Sequence, residues 1–381
     1  MKNIAIFFGG VSPEHDISII TALQTIENLD KSKYKIFPIY ISHSGFWFYD
    51  KNLTKIEDFI NFDEKHFEKS KVFISAGENV LFARKNKKIK EVCRIDCALI
   101  SLHGPNGEDG TIQGLLRLAN IPQTSCDVLG SAVCMDKIIM KMIFEANNFP
   151  ITKYVWFNYC DFENDKAQIL KKIKTNLKFP LVIKPANLGS SIGISRAENI
   201  EKLVEAIVVA GHYDNRICVE EAVNDLREIN CACFGNEENV DISELEEPIS
   251  WEKFLSFDEK YLHFSGMKFE KNNKINIDEH TKSKIKKMAK SAFKILCCKG
   301  IVRIDFLFDN TTYDIYINEV NTIPGSFSNY LWENKNFKTL LDDLIENAIN
   351  SFENKKKLTT IYNSDALKSF LKKGTTMKMK K

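Results

Sequence analysis

Residues 304–326, IDFLFDNTTYDIYINEVNTIPGS, read as two strands joined by a polar turn and followed by a Pro-Gly corner. Strand alternation puts Arg303 and Asp305 on one face of the first strand, and Glu319 and Asn321 on one face of the second. If the two faces coincide, two carboxylates and an amide oxygen converge beside an arginine. Such an all-oxygen set suits Mg²⁺, which takes few protein carboxylates and completes its shell with water and substrate phosphates. A polar solvent face carrying a surface ion pair accounts for these two strands equally well, so the choice rests on the remainder of the chain.

The chain has 381 residues, 44% hydrophobic and 27% charged, which allows two or three domains and a core that folds without staples. Its 53 Lys and Arg stand against 51 Asp and Glu, a formal charge of +2. That balance argues against nucleic acid and against an anionic membrane as partners, so charged ligands must be met by local clusters. The ten cysteines form no CxxC pair and no zinc pattern, and read as reduced, mostly buried thiols of a cytoplasmic protein. The opening MKNIAIFFGG has an apolar run too short for a signal peptide, and no stretch has the length of a membrane span.

Upstream, NIAIFF (3–8) is an apolar strand ended by Gly9-Gly10. Ser12-Pro13 then predicts an N-cap with proline at the first helical position, followed by Ile17, Ile20, Leu23 and Ile26 at helical spacing. YKIFPIYIS and DCALISLHG supply two more strands, with a Lys-rich, loop-bearing excursion between them. This is an α/β unit with a parallel sheet, closing near residue 125, whose ligands belong at the strand ends where Gly9, His103 and Gly104 fall. A central unit spans 126–235 and a third 236–352, the latter with a long polar segment at 243–264 that reads as a lid. From 353 to 381 the chain is a basic, solvated tail with a short helical pattern at SDALKSFLKK.

Four further stretches carry chemistry. NLGSSIG (187–193) follows a strand ending in Lys184-Pro185; its glycines let backbone N–H groups approach a phosphate, although a hairpin turn explains it as well. Lys137, in MDK, adds a second ammonium group. VEEAVNDLRE (219–228) offers a strand edge and acids that suit adenine and ribose, or a plain acidic surface. GGVSPEHDIS sets Glu14 and His15 on a helix's first turn, and HGPNGEDGT sets His103, Glu108 and Asp109 in a glycine-rich loop. A carboxylate in either place could hold a substrate ammonium, or simply favour a helix N-terminus. GGVSPE lacks the dinucleotide fingerprint, and GSSIG lacks the ending of a P-loop.

In order, FFGGVSPEHDIS, HGPNGEDGTIQGLL, MDK, VIKPANLGSSIG, VEEAVNDLRE, DEKYL, VRIDF and NEVNTIPGS resemble the D-alanine:D-alanine ligases of the ATP-grasp superfamily. The resemblance reaches to about residue 350. It implies a Rossmann-like N-terminal domain followed by a two-part ATP-grasp fold. Lys137 and Lys184 would contact ATP phosphates, Glu220, Val223 and Glu228 the adenosine, and the Ser190-Ser191 loop would close over the reaction. Asp305, Glu319 and Asn321 would hold two Mg²⁺, with Mn²⁺ able to substitute. Glu14 would bind the first ammonium, and Arg303 with the Gly325 N–H would face the oxyanion. His103, Tyr330 and Leu331 would line the amino-acid sites. Lys260 would reach the transferred phosphate from the lid, and Tyr261 beside it favours an amide over an ester product. The family's habit implies a homodimer.

Two departures stand out. VEEAVNDLRE is one residue longer before its last acid than the usual family form, which bears on Glu228. PGSFSNYLW places Tyr330 where a serine ordinarily helps hold the second substrate's carboxylate, so an acceptor such as D-serine or D-lactate is the alternative. A non-catalytic nucleotide-binding protein is the remaining one.

Overall fold

The computed structural model describes residues 1–85, 88–248 and 275–372. The segment carrying Lys260 and Tyr261, and most of the expected lid, lies outside the described residues.

β1 (Lys2–Gly9) is parallel to β2 (Tyr34–Ile41) on one side and to β7 (Cys97–Ile100) on the other, and β3 (Trp47–Tyr49) is added antiparallel at the edge of β2. Ile4, Ala5, Ile6, Phe7 and Phe8 are all buried, as befits a strand covered on both faces. The Lys-rich excursion is more ordered than its composition suggests. Within it, β4 (Val72–Ser75), β5 (Glu78–Lys85) and β6 (Lys88–Arg94) form an antiparallel three-stranded sheet. One face is apolar through Val72 and Leu81, while Lys85, Lys88 and Lys90 are exposed.

A second four-stranded sheet has the order β10-β9-β11-β8, with β8 Tyr154–Asn158, β9 Leu181–Pro185, β10 Ser195–Ala197 and β11 Arg216–Glu221. The helices Lys166–Asn176 and Ile200–Gly211 cover one face of it, burying Ile169, Ile173, Leu203 and Ile207. The last sheet runs β13-β12-β14-β15, with β12 Leu226–Gly235, β13 Val240–Glu246, β14 Gly300–Asp309 and β15 Ile315–Asn321. β12, which the sequence reading grouped with the preceding residues, pairs along its whole length with β14. Behind this sheet the helices Lys137–Ala146 and Glu279–Ile295 contribute Met140, Phe144, Ile285 and Phe293 to one core with Ile304, Phe306 and Phe308.

The closing helix Phe337–Lys356 turns back to the first sheet. Leu340, Leu341, Leu344 and Ile345 join the core built on β1, β2 and β7, tying the two ends of the chain together. Beyond it, the short helix Ala366–Lys372 is exposed. All ten cysteines are free thiols, and only Cys160 and Cys297 are exposed. Among the described residues no helix is long and apolar enough to cross a membrane.

Candidate active site

The apolar residues of β14 and β15 face the core, so their polar partners are forced onto the opposite, half-open face. Arg303 lies opposite Asn321 and Asp305 opposite Glu319, with a bulge just after Asp305. The bulge matters because it turns both Asn318 and Glu319 away from the buried Ile317 and Val320. Arg303 donates from Nε and Nη2 to the two carboxylate oxygens of Asp305 at 2.7 and 2.8 Å, and Asn321 Nδ2 donates to Asp305 Oδ2 at 2.9 Å. The two faces of the opening stretch therefore coincide.

Across the cleft, the lysines anticipated in the sequence come to this face. Lys137 Nζ is 3.6 Å from Glu319 Oε2 and donates to the carbonyl of Leu188 in the glycine-serine loop. Lys184 Nζ donates to Asn318 Oδ1 at 3.0 Å and pairs with Glu220 Oε1 at 3.2 Å. Glu220 is buried, which alone would raise its pKa. Lys141 and Lys184 together with the Thr152 hydroxyl outweigh that cost and hold the carboxyl at about 2. Burial likewise opposes the charge on Lys184, but Glu220 and Glu319 keep its pKa above the ordinary lysine value.

The third wall comes from the first sheet. The helix proper begins at His15; Ser12 Oγ accepts from the Glu14 N–H, as a capping serine does, and also donates to the His103 carbonyl. Glu14 is consequently aimed into the cleft, where Oε1 accepts a hydrogen bond from Ser190 Oγ. Among the described residues its Oε2 has no hydrogen-bond partner. Burial first, then the charge of Glu108, push the Glu14 carboxyl upward, only partly offset by Ser190, His103 and Lys137. Gly104 and Gly189 both close on this carboxylate; a Cβ would come within 2.5 Å and 2.9 Å of Oε2 respectively. His103 Nε2 meets Thr21 Oγ1 at 2.9 Å, and its ring flanks Glu108. Ser190 and Ser191 adopt left-handed backbone at φ 51° and 60°, a conformation that costs a side-chain-bearing residue about 1–2 kcal/mol each.

The turn after β15 carries the remaining candidates. Ser326, Phe327 and Ser328 are all left-handed, at φ 50°, 51° and 47°. Ser326 Oγ anchors the turn by donating to Gln24 Oε1 at 2.6 Å on the first helix. Gly325 faces open space, with nothing within 4 Å of a Cβ built there, while Leu331 is buried. Tyr330 sends its hydroxyl to the Arg303 guanidinium, and burial pushes its pKa up. Val223 is buried beside the end of β11, whereas Glu228 lies exposed near the start of β12.

Residues 3–126 match the family described as D-ala D-ala ligase N-terminus, and residues 143–350 the family described as D-ala D-ala ligase C-terminus. The chain belongs to the D-alanine–D-alanine ligase family. The D-alanine–D-alanine ligase of Thermosipho melanesiensis is 41% identical over 362 residues, covering 93% of this chain and 96% of the relative. The structure of the D-alanine–D-alanine ligase from Coxiella burnetii superposes with a TM-score of 0.76 at 28% identity, covering 98% of each chain. The VanG D-Ala:D-Ser ligase from Enterococcus faecalis gives 0.74 at 30% identity, covering 91% of this chain and 99% of that one.

Several groups of this ligase site escaped the sequence reading. Lys141, which pairs with Glu220, and Thr152, which donates a hydrogen bond to it, sit on a helix face and in a loop with no motif. Glu108 also joins two walls: its Oε2 accepts from the Thr322 N–H and hydroxyl and from the Ile323 N–H at 3.1–3.2 Å. His15, its pKa lowered by burial, bridges the Gly10 carbonyl and the Tyr40 hydroxyl and is thereby held away from the cleft.

Proposed function

We propose that this ligase joins two D-alanines into D-alanyl-D-alanine for cell-wall synthesis in the cytoplasm, using ATP and an acyl-phosphate intermediate. The observation that carries the reading is the Lys137–Glu319 pair, which puts phosphate-type cations and metal-type carboxylates in one cleft with Glu14 at its far wall. A carboxylate of the first D-alanine attacks the γ-phosphorus, forming a P–O bond as the bond to ADP breaks. The neutral amine of the second then attacks the acyl carbon; phosphate leaves the tetrahedral intermediate and the nitrogen loses a proton.

In this reading Glu14 holds the first ammonium, whose positive charge supplies what the buried carboxylate lacks. His103 supports that wall through Thr21. Lys137, Lys184 and Ser191 hold the phosphates, Glu220, Val223 and Glu228 contact adenosine, and Ser190 fixes Glu14. Arg303 and the Gly325 N–H stabilise the oxyanion; losing one such donor costs on the order of 10²–10³ in rate. Tyr330 and Leu331 border the acceptor, and Lys260 and Tyr261 belong to the lid.

Among the described residues no group of three or more His, Cys, Asp or Glu could hold a metal. Asp305, Glu319 and Asn321 instead offer two carboxylates and an amide in adjacent register, a donor set that fits hard cations such as Mg²⁺ or Mn²⁺. When bound, such ions neutralise charge on the transferring phosphoryl group. We also assign residues 1–125, 126–235 and 236–352 to three units, with β12 shared into the last sheet, and a homodimer as the assembly.

Mass spectrometry of products from Mg-ATP with equal D-alanine, D-serine and D-lactate, with phosphate counted in parallel, tests the proposal. D-alanyl-D-alanine matched one to one by phosphate is expected. A mixed dipeptide or a depsipeptide as main product would move the acceptor specificity to the corner around Tyr330. ATP binding with no phosphate release would sink the catalytic reading.

A further inference from the structure

Lys137 is the first residue of the helix Lys137–Ala146, and Asp136 before it is buried where that helix meets the central sheet. Asp136 Oδ1 caps the helix, accepting from the Ile138 and Ile139 N–H groups at 3.0 and 2.9 Å. Its Oδ2 accepts from Nη1 of Arg216, the first residue of β11. The backbone closes the circuit: the Lys137 N–H donates to the Ala186 carbonyl at 3.0 Å, and the Ala186 N–H to the Arg216 carbonyl at 2.9 Å. Lys137 is thus tied to Arg216 by two routes, one through its own amide and one through the neighbouring side chain.

Arg216 is itself held in place. Its N–H donates to Asp214 Oδ1 at 3.0 Å, and its guanidinium lies 5.7 Å from the centre of the Trp156 ring on β8. Asp214 Oδ2 accepts in turn from the N–H and Nδ2 of Asn187 at 2.9 and 2.8 Å, so the stem of the glycine-serine loop shares the same anchor.

A helix cap needs no arginine, because an aspartate at that position is favoured by the backbone alone. Attachment of the helix needs none either, since Ile138 already packs with Ala186 and Cys218. Apolar contact is non-directional and sets neither the rotation nor the axial position of a helix end closely. Misplacing a group at a reacting centre by about 1 Å can cost on the order of 10²-fold in rate. The directional Asp136–Arg216 pair fixes the backbone of the residue whose ammonium lies between the Leu188 carbonyl and Glu319.

We infer that Asp136 and Arg216 are positioning residues, a clamp that sets Lys137 against the phosphates of ATP. This rests on the phosphate role proposed for Lys137.

Steady-state kinetics and equilibrium binding of Mg-ATP on the purified full-length enzyme test the clamp. Arg216→Gln leaves the helix cap and the backbone bond to Asp214 intact. It should raise KM for ATP about 10-fold while KM for D-alanine stays within about twofold. Asp136→Asn keeps an acceptor for the cap but loses the charge, and should have the same effect. The double variant should cost no more than about twofold beyond either single one. Arg216→Gln added to Lys137→Gln should likewise bind Mg-ATP within about twofold of Lys137→Gln alone. Should Arg216→Gln fail to fold, Arg216→Met keeps an apolar stem over Trp156 and serves in the same cycles. Wild-type KM for ATP in the Arg216 variant, an equal rise in both KM values, or losses that multiply would overturn the inference while leaving Lys137 in place. Unchanged Mg-ATP affinity in Lys137→Gln would instead overturn the phosphate reading and this inference with it.

Discussion

Glu14 and Glu220 occupy opposite walls of one cleft and are nearly equally buried, at 6% and 2% exposed, yet their proton affinities move in opposite directions. Glu220 has two ammonium groups at 3.2 Å and a hydroxyl at 2.8 Å. Glu14 has one hydroxyl and, among the described residues, an oxygen with no hydrogen-bond partner, and Glu108 adds like charge. Burial alone thus does not say what a carboxylate is for. A compensated acid fixes the architecture, whereas an uncompensated one keeps an unmet demand for positive charge, which a substrate ammonium can satisfy.

The comparison is broken most severely at Glu220. Glu220→Gln leaves Lys141, 1% exposed at its side chain, without its counter-charge, and should destabilise the fold by about 3–5 kcal/mol in urea titrations. A loss below about 1 kcal/mol would show that Lys141 is served by Thr152 alone.

The pH dependence sharpens the same point. Glu220's carboxyl lies below its ordinary 4.5, so its contribution is present above that value and is lost as pH falls toward about 2. Wild-type protein should lose roughly 3 kcal/mol more than Glu220→Gln over that interval. Parallel denaturation curves at pH 5, 4, 3 and 2 for the two proteins check this.

Glu14 should behave in the opposite sense and with a smaller effect on stability. Its native carboxyl is raised, so its favourable contribution is present below the unfolded value and is lost as pH rises through the folded one. Ionised Glu14 therefore burdens the fold at neutral pH. Glu14→Gln should raise stability there by on the order of 1 kcal/mol while lowering kcat/KM for D-alanine about 10- to 100-fold. Thermal unfolding and steady-state kinetics on one preparation would show both, and a lower melting temperature would contradict the assignment of Glu14 as uncompensated.

Legibility followed the range of the interactions. The faces of β14 and β15 could be read because alternation is a local property of strands, and Arg303 and Asp305 duly lie on one face. The excursion at 72–94 was misread because its lysines dominate the composition, although a few apolar residues suffice to bury one face of a small sheet. Ser12 caps the turn before the helix as its sequence suggests, but its second partner, the His103 carbonyl 91 residues away, could not be read locally. Lys141 and Thr152 carried no signal, since a lone lysine or threonine resembles any solvated residue until packing encloses it.

By itself, the sequence determined the order of elements and the residue types able to meet phosphate, cation and ammonium, because turn chemistry, periodicity and ordered motifs are written along the chain. The tertiary structure alone decided how these groups are paired. Which carboxylate receives two lysines and which is left wanting depends on strand register, on a single bulge after Asp305 and on a helix that returns to the first sheet. Charges interact through space over a few ångströms, and only the folded chain sets those distances.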